Sequence, residues 1–347
     1  MGGAGDLPGH MQASVLWKPG GPEALRFGTV ADPEPGPGEV LVRTHATSVN
    51  RLDVWIRQGT YRVPLPHILG VDLAGEVVHA DAAGRWKEGD RVVAYPGLSC
   101  GKCASCRKGK ESLCPTIGIL GRERHGTYAE LVALPSENLY PLPARVGWEA
   151  AGAFPLSYLT AEHALSRAGV VAGETVVVFG ASGGVGCAVL SRAVRRGARA
   201  IAVTGSPQLV PRLHVLGAEE VLMRGSSDLV ERVQAATRGR GADVVVDTVG
   251  QLMWSTGLRA LARGGRYVIV GVTSGAEVPT ELRPIYTRQL SVLGGFLGDR
   301  VDFVRLLEDL ARGRIEPQVA EVFPLERAHE AHRRLEAPHL GKFVLKP

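Results

Sequence analysis

The chain has 347 residues, 45% of them hydrophobic and 22% charged, with a formal net charge of +5. That balance is ordinary for a soluble globular protein, and the length favours two domains over one small core. No run of roughly 18 apolar residues occurs, which excludes a membrane-spanning helix, and basic residues scattered among acidic ones fit an anionic cofactor better than nucleic acid.

Residues 1–10, MGGAGDLPGH, are Gly-rich and lack the apolar core of a signal peptide, so the folded chain is expected to begin near Met11. From there to about residue 142 the pattern is β-like. Short apolar runs at 40–42, 74–78 and 91–94 alternate with Pro- and Gly-rich turns, and residues 32–39 hold too much Pro for a helix interior. Near residue 151 the rhythm changes. A buried strand is expected at 175–179, a helix at 185–196, a strand at 199–203 and a helix at 211–216. Strands at 243–247 and 266–270 and an apolar run at 290–293 follow, then a helix at 303–310 and a strand at 342–345 that returns to the first domain. Strands alternating with helices argue a parallel, doubly wound sheet, so the fold class is α/β with a β-rich first domain.

Four of the five cysteines, Cys100, Cys103, Cys106 and Cys114, are spaced C-x2-C-x2-C-x7-C. Four thiolates meet the tetrahedral preference of Zn2+, and four protein ligands leave no open position for substrate, so this is a structural zinc site. One leftover Cys beside such a site fits a reducing cytoplasm better than a disulfide framework. Lys102, Arg107, Lys108 and Lys110 flank the cluster, either softening its negative charge or simply solvated.

Gly180-Ala181-Ser182-Gly183-Gly184-Val185-Gly186 follows the first strand of the second domain and opens a helix. Its glycines permit a tight turn and close approach of a pyrophosphate to the free N–H groups of the helix end. Gly180, Ser182, Gly183, Gly184, Val185 and Gly186 are therefore assigned to a dinucleotide, with Gly271 past the later strand. At the end of the second strand, where NAD sites carry an acid for the ribose, stand Thr204, Gly205 and Ser206. A 2′-phosphate meets no repulsion there and Ser206 could donate to it, which favours NADP(H), although a clear basic clamp is missing. Arg212 lies further along. Cys187 opens the helix, where the dipole would lower its pKa; the other reading is a small buried apolar residue.

The whole of residues 11–347 resembles the medium-chain dehydrogenase/reductase superfamily: a GroES-like β domain with a four-cysteine lobe, a Rossmann domain, then a return to the first. The lobe and Gly126-Thr127-Tyr128-Ala129-Glu130 carry the likeness. It implies domains at 11–156, 157–298 and 299–347. In the zinc alcohol dehydrogenases of that superfamily a catalytic metal takes a Cys, a His and a Cys or Asp. The matching positions here are Asn50, Val71 and Ser157, all three ligands lost, with Asp53, Asp72 and His67 nearby. The resemblance to its metal-free quinone oxidoreductases and enone reductases rests on Asn50, on Tyr61 and on the Ala-Ser-Gly-Gly-Val-Gly loop; the retained zinc lobe departs from that group.

The resemblance implies that Asn50 presents its amide to nicotinamide or substrate carbonyl, that Tyr61 is a proton donor or oxyanion partner, and that Ser157 and Thr160 lie beside the nicotinamide. A turn-capping Asn50 and a surface Tyr61 are the plain alternatives. Tyr158 is pocket wall or core; His163, His329 and His332 stay unassigned.

The expected activity is NADP(H)-dependent reduction of a small molecule, a quinone or α,β-unsaturated carbonyl, by direct hydride transfer without catalytic metal. The rivals are an alcohol dehydrogenase with a displaced metal and a non-catalytic NADPH- or RNA-binding protein. The run 290–295 resembles the edge strand through which superfamily members pair, so a homodimer or homotetramer is expected.

Overall fold

A computed structural model describes residues 9–81 and 83–347, and the first eight residues of the Gly-rich opening lie outside them. The chain divides into two compact units. The first comprises residues 1–156, 307–337 and 342–347, and the second 157–306 and 338–341. The expected third segment therefore starts later than residue 299. Residues 299–306 belong to the second unit, and the helix Arg300–Ala311 is shared between the two divisions. Residues 338–341 also join the second unit, where Gly341 N–H donates to Ser182 O at 2.9 Å.

In the first unit the strand Glu39–Ser48 is the hub of a seven-stranded sheet. It pairs antiparallel with Ala74–His79, Leu131–Pro135 and Lys342–Lys346. Its apolar residues Val40, Leu41 and Val42 are at most 1% exposed, so both faces are covered and neighbouring strands are fixed in register. The last strand pairs Val344 with Ser48 and Leu345 with Thr47. Continuing that antiparallel register two residues sets Lys342 opposite Asn50. The opening strand His10–Leu16 belongs to a separate three-stranded sheet, with Leu25–Ala31 and His67–Ile68.

The second unit is a six-stranded parallel sheet in the order Glu220–Met223, Arg199–Thr204, Thr175–Phe179, Ala242–Asp247, Leu261–Ile269 and Ser291–Gly294. Thr175–Phe179 is buried along its whole length, as a β-branched run in a doubly covered sheet requires. The chain leaves that strand in one direction for two strands and then returns to its other side. Such a reversal opens a crevice at the carboxyl ends of the strands, the usual ligand position in open α/β sheets. Ser291–Gly294 pairs on one side only and is mostly exposed.

Candidate functional site

The zinc lobe is built by local turns. Cys103 caps the short helix Ala104–Arg107, its Sγ accepting the Cys106 N–H at 3.4 Å. Cys114 Sγ accepts the Cys100 N–H at 3.5 Å and lies 3.5 Å from the Thr116 hydroxyl. Those two donors hold the Cys114 thiol down at about 6. The Cys103 and Cys106 sulfurs are 3.5 Å apart, Cys100 and Cys106 4.0 Å, and all four sulfurs lie within 4.8 Å of one another. Zinc–sulfur bonds of ~2.3 Å in a tetrahedron need sulfurs ~3.8 Å apart, so this set fits Zn2+. Lys102, Arg107, Lys108 and Lys110 all face solvent.

A second centre in the first unit is made of oxygen and nitrogen and is almost wholly buried. Asp72 is 0% exposed. Its Oδ2 accepts from Ser48 Oγ at 2.6 Å, Asn50 Nδ2 at 2.8 Å and Lys342 Nζ at 3.2 Å, and its Oδ1 from Leu156 N–H at 2.8 Å. Lys342 Nζ also donates to Asn50 Oδ1. The second amide hydrogen of Asn50 goes to Ser48 O at 3.3 Å. Both amide hydrogens of Asn50 are thus engaged, by Ser48 O and Asp72 Oδ2. The register of the last strand lays the Lys342 ammonium against its Oδ1.

Asn50 also precedes the helix Arg51–Arg57, where its own N–H donates to Asp53 Oδ2 at 2.7 Å. Asp53 takes two further donors, Gly70 N–H at 3.0 Å and the Tyr128 hydroxyl at 3.2 Å. Burial nevertheless pushes its carboxyl up to about 7. Tyr128 in turn lies 3.1 Å from His332 Nε2, and burial pushes that imidazole down to about 3. His67 bonds to Gly121 O at 3.0 Å. The retained acids and His67 are thus hydrogen-bonded parts of the framework.

Tyr61 lies elsewhere in the same unit, half-buried, its ring 6.1 Å from Trp55 and under the Arg122 guanidinium at 4.8 Å. Ser157 and Thr160 are buried one turn apart on the helix Pro155–Arg167 of the second unit.

In that unit the Gly loop joins Thr175–Phe179 to the helix Gly184–Arg195. Gly180 turns at φ +72°, and a Cβ on Gly186 would strike Gly180 O, so both positions require glycine. A Cβ on Gly271 would stand 2.9 Å from Thr248 O. Ser182 and Val185 are half-buried on the same turn. Cys187 is buried, its Sγ 3.5 Å from Ala181 O and Ser182 O, and burial pushes the thiol up to about 12. Its place at the helix start does not activate it.

The basic group absent from the sequence reading is Arg224. Its N–H donates to Thr204 O at 2.8 Å, and its Nη2 lies 2.8 Å from where a Cβ on Gly205 would stand. Ser206 N–H donates to Thr204 Oγ1 at 3.2 Å, shaping the same turn. Arg224 is exposed and, among the described residues, has no carboxylate partner. Its signal lay one strand away, just past Glu220–Met223, rather than in the motif itself.

Residues 36–144 match the model of the alcohol dehydrogenase GroES-like domain, and residues 184–312 that of the zinc-binding dehydrogenase. A NAD-dependent alcohol dehydrogenase of Sulfurisphaera tokodaii is 32% identical over 97% of this chain and 100% of its own. The chain belongs to the medium-chain dehydrogenase/reductase superfamily. A quinone oxidoreductase of Mus musculus is 30% identical over 96% of this chain and 97% of its own. The solved structure of a NAD-dependent alcohol dehydrogenase, 42% identical, covers 97% of this chain and 100% of that one with a TM-score of 0.93.

Members with a catalytic zinc supply it with thiolate and imidazole. The residues here do not fit that ion. Val71 is apolar and 0% exposed, and Asn50 Oδ1 already faces an ammonium, which repels a second cation. A pyridine nucleotide, the superfamily's cofactor, fits the Gly loop, where added side chains would close the turn. No helix among the described residues is long and apolar enough to cross a membrane.

Proposed function

We propose that this oxidoreductase reduces quinones or α,β-unsaturated carbonyls with NADPH and uses no catalytic metal. The observation that carries the reading is the Asp72 centre, where the residues at two former ligand positions are a buried valine and an amide engaged by Lys342. Oxidising a simple alcohol calls for a Lewis acid to stabilise the alkoxide. Quinones and enones need less help, because charge from hydride addition spreads to a distant oxygen where hydrogen-bond donors suffice.

When bound, the reduced nicotinamide supplies hydride. The Gly loop and the N-terminus of the 12-residue helix Gly184–Arg195 hold its pyrophosphate. Arg224 over Gly205, with Ser206, takes the 2′-phosphate, and the absence of an acid at Thr204–Ser206 supports the same choice. Ser157 and Thr160 serve the nicotinamide side, and Tyr61 remains the candidate proton donor. The exposed edge Ser291–Gly294 supports pairing with a second copy of the chain, read by sedimentation.

The test is NADPH and NADH oxidation against a panel of quinones, enones, aldehydes and alcohols, with zinc counted on the same sample. Turnover of quinones or enones with NADPH at one zinc per chain supports the reading. Alcohol oxidation with two zincs per chain defeats it.

A further inference from the structure

His163 lies on the helix Pro155–Arg167 and is 8% exposed. Its imidazole has no hydrogen-bond partner among the described residues. A buried ring nitrogen in that condition forfeits the bonds it made to water, and folded proteins rarely leave one so. Asp299 and Asp302 stand beside it at the start of the helix Arg300–Ala311, where Asp299 O accepts from the N–H groups of Asp302 and Phe303, each at 3.1 Å. Three residues apart, the two acids share one side of the first turn. A ring nitrogen of His163 and one oxygen of each carboxylate all lie within 4.8 Å of one another. All three residues belong to the second unit, and none takes part in the Gly loop or the Asp72 centre.

The charge around them is unbalanced. Glu162, next to His163, is satisfied by Arg192 at 2.7 Å and Arg196 at 2.6 Å. Asp302 has one ion pair among the described residues, with Arg305 at 4.0 Å, and that arginine is 71% exposed, which makes the pair weak. Burial, with Glu162 and Asp299 nearby, pushes the Asp302 carboxyl up in spite of Arg305 and Arg196. Attraction to the helix dipole accounts for two acids at a helix start. It gives no reason for a buried, unpartnered imidazole among their oxygens.

We propose that His163, Asp299 and Asp302 bind one divalent cation of the Mn2+ class, with water filling the remaining positions. Imidazole turns the set away from Mg2+ and Ca2+, two carboxylates turn it away from soft ions, and Mn2+ accepts both ligand types. Metal–oxygen and metal–nitrogen bonds of ~2.1 Å bring such atoms to ~3–4 Å, a closing that side-chain rotation supplies. Asp299 is half-buried and Arg305 exposed, so the ion enters from that side. It braces the start of the helix Arg300–Ala311 against His163, and its effect falls on stability.

The test is Mn2+ titration of the zinc-loaded protein, read by loss of the free ion's electron paramagnetic resonance signal. Zinc is counted first and held at one per chain, because Zn2+ outranks Mn2+ for the same ligands. We expect one saturable Mn2+ per chain, nitrogen coupling from a bound imidazole in the pulsed spectrum, and a higher melting temperature with the ion. Losing a residue that merely positions a ligand weakens metal sites about 10–100-fold, so His163→Gln and Asp302→Asn should each cost at least about tenfold in affinity. His163→Gln should also abolish the nitrogen coupling. Arg305→Ala removes a competing charge from an exposed side chain and should tighten binding, and it carries the test if the two buried variants do not fold. Absence of saturable Mn2+ binding in wild type overturns the proposal. Binding that lacks nitrogen coupling, or that keeps its affinity in both folded variants, overturns it too, since the ion then sits elsewhere. So does unchanged affinity in Arg305→Ala where that variant alone folds.

Discussion

The molecule holds positive charge in two contrasting ways. The zinc lobe gathers four soft sulfur donors from a 15-residue stretch, Cys100 to Cys114, around a site for a removable ion. The Asp72 centre sets two hard oxygens, from residues 50 and 72, on a cation tethered to the chain at Lys342, and Ser48 braces Asp72. A borrowed ion must be gripped by every ligand, so the lobe fails when any one sulfur goes. A tethered ammonium is kept by the covalent chain, and its partners only aim it. The difference predicts how each centre breaks.

The largest effect is expected in the lobe. Cys103→Ser removes one of four thiolates while leaving a hydroxyl able to cap the helix Ala104–Arg107, so the loss falls on the metal. Metal binding to the folded state is folding free energy, so zinc should fall from one per chain to none and the melting temperature by ~10 °C. Metal analysis and calorimetry read both. A variant that keeps its zinc would abolish the contrast between the centres.

Next is the loss of the counterion. Asp72→Asn leaves the ammonium buried with amide partners alone, which should cost about 3–5 kcal/mol in urea unfolding. Adding Lys342→Met to it should restore part of the stability, because the unpaired charge is gone. Strict additivity of the two would mean that the pair is not coupled.

These centres differed as sharply in the sequence. The cysteines announce themselves because their spacing is local, and the Gly loop because main-chain geometry demands glycine at Gly180 and Gly186. Lys342 gave no signal. It reads as an ordinary strand lysine, and its partner Asp72 lies 270 residues away, brought close only by the pairing of Val344 with Ser48. Asn50 was visible as a residue, but the direction of its amide depends on that same pairing. Arg224 escaped for a related reason: its position over Gly205 follows from the parallel register of Thr204 with Met223.

Beside the Asp72 centre, Asp53 offers a smaller and pH-dependent effect. Its folded carboxyl titrates at about 7, above the ~3.9 of a free Asp. Between those values the folded state keeps a proton that the unfolded state has lost, so this group's stabilisation is full at low pH and disappears as pH rises through 7. His332 acts in the opposite sense, since its unfolded ring gains a proton below ~6.5 and its folded ring does not. The difference in unfolding free energy between wild type and Asp53→Asn isolates the carboxyl. It should change by about 2 kcal/mol from pH 5 to pH 7, in the direction of wild type weakening. A difference that is flat in pH would place the proton elsewhere in the Asp53, Tyr128 and His332 chain.

Arg224 is the third held charge and the limit of the series, an exposed guanidinium with no carboxylate partner among the described residues. Nothing in the fold depends on its charge, so Arg224→Ala should alter unfolding by less than about 0.5 kcal/mol. Its effect should fall on the cofactor alone. Losing one charge-assisted contact to a 2′-phosphate, about 1.4 kcal/mol, raises the KM for NADPH about tenfold and leaves that for NADH unchanged. Fluorescence titration with the two reduced cofactors gives the ratio directly. Equal weakening for both would mean that Arg224 meets a part the two cofactors share, and the preference for NADPH would then rest on Ser206 and the missing acid.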